Sequence, residues 1–181
     1  MSKLDEAIQT AAKLHAGQIR DGEHALPYFV HPIEVLLNLR NVGGIYDEDM
    51  LIAAVLHDTV EEAGGDLNKL EKQFGKRAAA LVRELTREEP TKKETEELTR
   101  EEVWQLRSSM LLEEIANMSV EAQTIKLADR LCNVREALRT RVGEKLDRYL
   151  VQTYAILETI PRELNPPLWD AVAAELKIQE V

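Results

Sequence analysis

The stretch LIAAVLHDTVEE, residues 51–62, decides the fold. Its first six residues are apolar all round, so a helix built from them is central rather than surface-lying. Asp47 is placed to cap that helix, and Gly64-Gly65 to end it. The second half then reverses the chemistry with His57-Asp58-Thr59-Val60-Glu61-Glu62. Burying a histidine beside an aspartate is costly unless each finds a partner, and a divalent cation is an efficient one. His57 and Glu61 are four apart, as are Asp58 and Glu62, so each pair occupies neighbouring turns of one face. A lone His-Asp dipeptide also fits a helix end running into solvent, with both glutamates simply hydrated.

Outward from this stretch the pattern stays helical. Leu4, Ile8, Ala11 and His15 form one stripe of a first helix ending near Gly17. Residues 19–30 contain Asp21-Gly22 and Pro27 and read as an irregular loop. Pro32 suits the first turn of a second helix, which carries Ile33, Leu36, Leu37 and Leu39 and stops before Gly43. Asp66 can cap a short helix through Phe74, and another runs from Ala78 to Leu85. The segment TREEPTKKETEELTR, 86–100, is nearly all polar and reads as a mobile loop or a solvated arm reaching about 102. Helical patterns follow at about 101–117, 119–139, 143–160 and 167–178. No convincing strand alternation, repeat or linker interrupts them. The expectation is a single all-α domain over 1–181 with about eight to ten helices.

Two further polar intrusions accompany the His-Asp pair. In IKLADRLCNVRE, 125–136, Ile125, Asp129 and Cys132 share a stripe, with Asn133 one turn beyond Asp129. An aspartate there needs a cation: a metal, or a buried salt bridge to Arg130 or Arg135. His31 stands beside Pro32 at the start of the second helix, as a ligand or as a histidine packed on a loop. Tyr28 and Phe29 read as core or loop anchors, His24 as a loop residue, and His15 as a satisfied core histidine. Two imidazoles and two carboxylates suit Mn²⁺, Fe²⁺, Zn²⁺ or Mg²⁺ rather than a thiolate-type zinc site.

Composition narrows the function classes. Among 181 residues, 23 Lys+Arg oppose 33 Asp+Glu, a net charge of −10. Such a chain has no general electrostatic reason to seek nucleic acid or anionic lipid. An anionic ligand would require a local cluster of cations or a metal. The one cysteine, Cys132, excludes an internal disulfide and fits a reducing cytoplasm. No run is long and apolar enough for a membrane span, and the N-terminus lacks a signal-peptide layout. A cytoplasmic protein is expected, with no indication of oligomeric state.

Three motifs in order, AAKLHAGQIR…LPYFVHP, AAVLHDTVEEAG and IKLADRLCNVRE, resemble the HD-domain metal phosphohydrolases. More narrowly they resemble the hydrolase domain of the RelA/SpoT family in its stand-alone form, the small alarmone hydrolases, over residues 7–160 or so. The resemblance implies metal ligands His31, His57, Asp58 and Asp129, with manganese the usual ion. It makes Glu61 and Glu62 the pair that activates or orients water, and places Arg20 on the base and Asn133 on the ribose side. The implied reaction removes the 3′-pyrophosphate from guanosine tetra- or pentaphosphate. The long members' synthetase and regulatory regions have no counterpart here.

Metal-assisted hydrolysis suits these residue types, since a metal acidifies water and polarises phosphoryl oxygens while carboxylates accept protons. Lys126, Arg130 and Arg148 are candidate cations for the phosphoryl groups. Three departures bear on the reading: the family's HDxxED ends here in Glu62, Asp21 follows Arg20 where many long members have lysine, and Glu136 stands where they usually have threonine. The stretch from Arg20 to His31 also looks about two residues longer than usual. Guanine is thus a family inference. Competing readings are an HD phosphohydrolase of an adenine alarmone, of the NADPH phosphate or of a nucleoside monophosphate, a slow nucleotide sensor, or an interaction protein using the acidic arm.

Overall fold

The computed structural model describes residues 2–20 and 26–177. In chain order the helices are α1 (Lys3–Leu14), α2 (Val30–Leu37), α3 (Glu48–Leu56), α4 (Thr59–Ala63), α5 (Leu67–Phe74), α6 (Lys76–Leu85), α7 (Lys92–Thr95), α8 (Arg100–Asn117), α9 (Val120–Thr140), α10 (Glu144–Thr159) and α11 (Pro166–Lys177). Nine of these have eight residues or more, which matches the all-α expectation. Among the described residues the β-structure is one isolated antiparallel bridge, Ile19 with Pro27, closing the loop that leads to α2. His24 and Ile178 lie outside the described residues.

α3 is the hub. Asp47 Oδ1 accepts the Met50 N–H at 3.0 Å, and every residue from Met50 to Leu56 is buried. α1, α2, α6 and α9 pack around it. α9 is the second buried helix, with Ile125, Leu127, Ala128, Leu131 and Val134 fully enclosed. Truncating such a side chain to alanine typically costs about 2–5 kcal/mol. α11 covers α9, and Asn165 donates to the Gly43 carbonyl at 2.9 Å. Gly43 is required there, because a Cβ would stand 2.7 Å from the Leu39 carbonyl oxygen and from Leu168 Cδ1.

The third helix differs from its expected course. It stops at Leu56 and restarts as α4 at Thr59, so His57 and Asp58 occupy a break rather than consecutive turns. Two side chains cause it. His57 Nδ1 donates to the Ala54 carbonyl at 2.9 Å and Thr59 Oγ1 to the Leu56 carbonyl at 2.6 Å, taking acceptors that continuing helix would use. Gly64, at φ +67°, then ends α4 in the left-handed conformation that favours glycine.

The charged segment between α6 and α8 contains the one-turn α7, and it is anchored. Thr91 with Glu94 and Thr99 with Glu102 form capping boxes. The Arg87 N–H donates to Glu61 at 3.1 Å and the Glu88 N–H to Glu114 at 3.1 Å.

Candidate active site

Three packed helices bring the four candidate ligands to one point. His31 comes from the first turn of α2, His57 and Asp58 from the break after α3, and Asp129 from the middle of α9. His31 Nε2 lies 3.3 Å from His57 Nε2, 3.3 Å from Asp58 Oδ2 and 3.3 Å from Asp129 Oδ1. His57 Nε2 lies 3.1 Å from Asp58 Oδ1 and 3.8 Å from Asp129 Oδ1. A cation bound at about 2.1 Å by donors at right angles spaces those donors by about 3 Å. His31, His57 and Asp129, whose donor atoms all lie within 4.8 Å of one another, thus fit one divalent ion, with Asp58 against the two histidines. The His57 Nδ1 bond to Ala54 leaves Nε2 free to ligate.

The electrostatics agree with this fit. Burial opposes charge on both imidazoles, but the Asp129 and Asp58 carboxylates outweigh it, raising His31 well above its ordinary value and His57 to about 9. Burial likewise opposes charge on Asp58 and Asp129, and their cationic neighbours reverse it: chiefly His57 at Asp58, and Lys126 followed by the histidines at Asp129. Lys126 Nζ lies 2.9 Å from Asp129 Oδ2, and Asn133 Nδ2 donates to Asp129 Oδ1. The buried salt bridge weighed for Asp129 thus involves Lys126, whereas Arg135 pairs with Glu175.

A cavity of about 680 Å³ opens over the cluster, within the ~300–1,000 Å³ typical of small-molecule sites. Glu61 and Glu62 both line it. The surrounding protein and the Asp58 carboxylate raise the Glu61 pKa, against the Arg87 N–H that holds its anion. In a chain of net charge −10, Arg20, Arg87, Lys126, Arg130 and Arg141 all gather on this one wall. Arg130 Nη2 donates to Gln152 at 3.3 Å, while its buried Nε and Nη1 have no protein acceptor. Arg20 is held by Glu34 at 2.9 Å and by Glu136 at 2.5 Å.

One candidate from the sequence stands elsewhere. Arg148 does not line the cavity; it pairs with Glu101 at 2.7 Å and with Glu144, over the Trp104 ring. The face of α10 that carries it turns towards α8. Conversely, Tyr28 is more than an anchor: its hydroxyl donates to Asp58 Oδ2 at 2.7 Å and its ring stacks on His15. Burial and Asp58 raise its pKa, so the hydroxyl remains a donor. His15 Nδ1 donates to the Gln18 amide oxygen at 2.6 Å, but its Nε2 has no partner, so it is only half satisfied. Arg87, Arg141 and the α10 pair Tyr149 and Gln152 escaped the sequence reading because they reach the cavity from three separate parts of the chain. No short-range spacing marks them.

Helix architecture and a His, His-Asp, Asp cluster of this geometry define an HD-domain protein, and the chain belongs to that family: the model described as HD domain matches residues 7–159. Within it, the chain is 34% identical over 184 residues to guanosine-3′,5′-bis(diphosphate) 3′-pyrophosphohydrolase MESH1 of Drosophila melanogaster, covering 99% of this chain and 93% of that protein. The Homo sapiens protein of the same name is 35% identical over 153 residues, covering 84% and 79%. A solved structure of a metazoan ortholog of SpoT that hydrolyzes ppGpp matches with a TM-score of 0.85 at 31% identity, over 99% of this chain and 96% of that one.

Proposed function

We propose that this chain is an alarmone hydrolase, with a single HD domain over 1–181 that removes the 3′-pyrophosphate from guanosine tetra- or pentaphosphate. The products are GDP or GTP and pyrophosphate. The observation that carries the reading is the shared cavity: a divalent-ion donor set, two carboxylates and a wall of arginines, in a chain alike over nearly its whole length to pyrophosphohydrolases of that substrate.

His31, His57, Asp58 and Asp129 would hold the ion, taken to be Mn²⁺. Bound there, it would supply Lewis acidity at the phosphoryl group and lower the pKa of water. Glu61 accepts the proton of the attacking water; its raised pKa moves it towards the range where proton acceptance and release are balanced. Glu62 stands beside it and orients the water. Lys126 stays charged because Asp129 outweighs the burial that opposes its ammonium. With Arg130, whose buried N–H groups lack acceptors, it neutralises the transferred pyrophosphate. Arg20, locked in plane by Glu34 and Glu136, offers its guanidinium to the purine. Asn133, beside Asp129 on the cavity wall, faces the ribose side. A cytoplasmic setting belongs to the same proposal, supported by the free thiol of Cys132 and by the absence, among the described residues, of any helix long and apolar enough to cross a membrane.

Comparing kcat/KM for 3′-pyrophosphorylated guanosine and adenosine nucleotides, with NADPH alongside, tests the substrate. Guanine preference with pyrophosphate release is expected. A clear adenine preference overturns the base assignment, and turnover of neither alarmone overturns the alarmone reading itself.

A further inference from the structure

The two candidate metal-binding histidines are steadied by different kinds of partner. His57 Nδ1 donates to the main-chain carbonyl of Ala54, which no side-chain substitution removes. His31 Nδ1 instead lies 3.3 Å from Cys132 Sγ. The same sulfur lies 3.1 Å from Glu34 Oε2, and that oxygen accepts from Arg20 Nη1 at 2.9 Å. Cys132 is 5% exposed and His31 3%, so water does not compete for the His31–Cys132 contact, whereas the Glu34 side chain is 41% exposed.

The polarity of this chain of contacts follows from its two ends. His31 Nε2 faces Asp58, Asp129 and His57, so a neutral ring that ligates through Nε2 carries its proton on Nδ1. That N–H meets the thiol sulfur, a weak acceptor. The Glu34 carboxylate only accepts, so the thiol hydrogen is directed to it. Metal-ligating histidines commonly donate their second N–H to a carboxylate or carbonyl, which fixes the tautomer and raises the basicity of the ligating nitrogen. Here a thiol is interposed between histidine and carboxylate.

We infer that Cys132 is a positioning residue, holding His31 in its Nδ1-protonated tautomer and linking the metal end of the cavity, through Glu34, to Arg20 at the nucleoside end. Removing the sulfur leaves a buried imidazole N–H without an acceptor, and His31 is then free to turn or to change tautomer. The inference rests on His31 being a metal ligand.

The test is Mn²⁺ affinity, measured by chelator competition, for the parent protein and for Cys132→Ala, Cys132→Ser and His31→Ala, with ¹⁵N-histidine NMR of the Zn²⁺-loaded forms. Cys132→Ala is expected to weaken binding by about 10–100-fold, the range for a lost outer-shell partner. Cys132→Ser restores a donor and acceptor and is expected to recover most of that loss, with the His31 Nδ1–H tautomer retained. Ser and Ala are both smaller than cysteine, so a purely packing role would penalise them alike. Equal losses in the two variants would therefore overturn the inference. So would parental affinity in Cys132→Ala while His31→Ala loses the metal. Parental affinity in His31→Ala would instead remove His31 from the ligand set, and the positioning role with it.

Discussion

The two ends of the cavity are built differently. At the metal end, His31, His57, Asp58 and Asp129 come from helices packed on the core, and each reaches its neighbours within 3.1–3.8 Å. Their backbones are fixed by burial that serves stability anyway, so the cluster is preorganised. At the nucleoside end the groups are long side chains. Arg20 sits on the loop before α2, held between Glu34 and Glu136, and Arg141 on the turn after α9. Arg130, on α9, keeps its Nε and Nη1 without protein acceptors, which a polyphosphate nucleotide could supply. On the proposed reading, the metal cluster is set by core-packed backbone and the recognition end by ion pairs among long side chains.

The contrast is broken most severely at its rigid end. Asp129→Ala should abolish tight metal binding and turnover while circular dichroism shows the helix content kept; stoichiometric tight metal in the variant would refute the ligand assignment. A step smaller, Glu61→Gln should retain the metal and lower kcat by about 10²–10⁴-fold, as for a lost general base. Unchanged turnover would remove Glu61 from the mechanism. At the proposed nucleoside end, Arg20→Ala should act on KM rather than kcat. A desolvated cation–π contact of about 2 kcal/mol corresponds to roughly 30-fold. A kcat loss of that size with KM unchanged would mean that Arg20 serves the chemistry.

The smallest effect is expected far from both ends, where Arg77 bridges Asp47, Asp49 and Glu121 on the surface. Arg77→Ala should cost about 0.2–1 kcal/mol, up to about 4 °C in Tm. The Arg77 guanidinium, with the Met50 N–H, lowers the Asp47 pKa below its ordinary 3.8. Its contribution is therefore present above that value and fades as pH falls below it. Thermal melts at pH 7 and pH 3 should show the difference between parent and variant shrinking at pH 3; a difference that grows there would contradict the sign.

How much of this was legible in the sequence follows the same division. The helices and the convergence of His31, His57, Asp58 and Asp129 were readable, because an apolar run interrupted by His57-Asp58, a stripe holding Asp129 and a helix start at His31 are matters of residue type and spacing. The break after Leu56 was not, since it depends on two side chains capturing carbonyls of their own helix. The capping boxes at Thr91 and Thr99 were present as Thr-x-x-Glu patterns, and they show why the 86–100 segment is anchored rather than loose. The cation wall was half readable. Lys126 and Arg130 follow from their closeness to Asp129, but Arg87 and Arg141 do not, and Arg148 has the right charge on the wrong face of α10. A long side chain's direction is set by tertiary neighbours, which spacing does not record.

The central claim is that a metal held at the rigid end directs hydrolysis of a 3′-pyrophosphate. The most direct measurement is product analysis after incubating the Mn²⁺-loaded protein with guanosine 3′,5′-bis(diphosphate). GDP and pyrophosphate in equal amounts are predicted, with release abolished by chelator and restored by metal. Release of inorganic phosphate in place of pyrophosphate, or release that persists without metal, would contradict it.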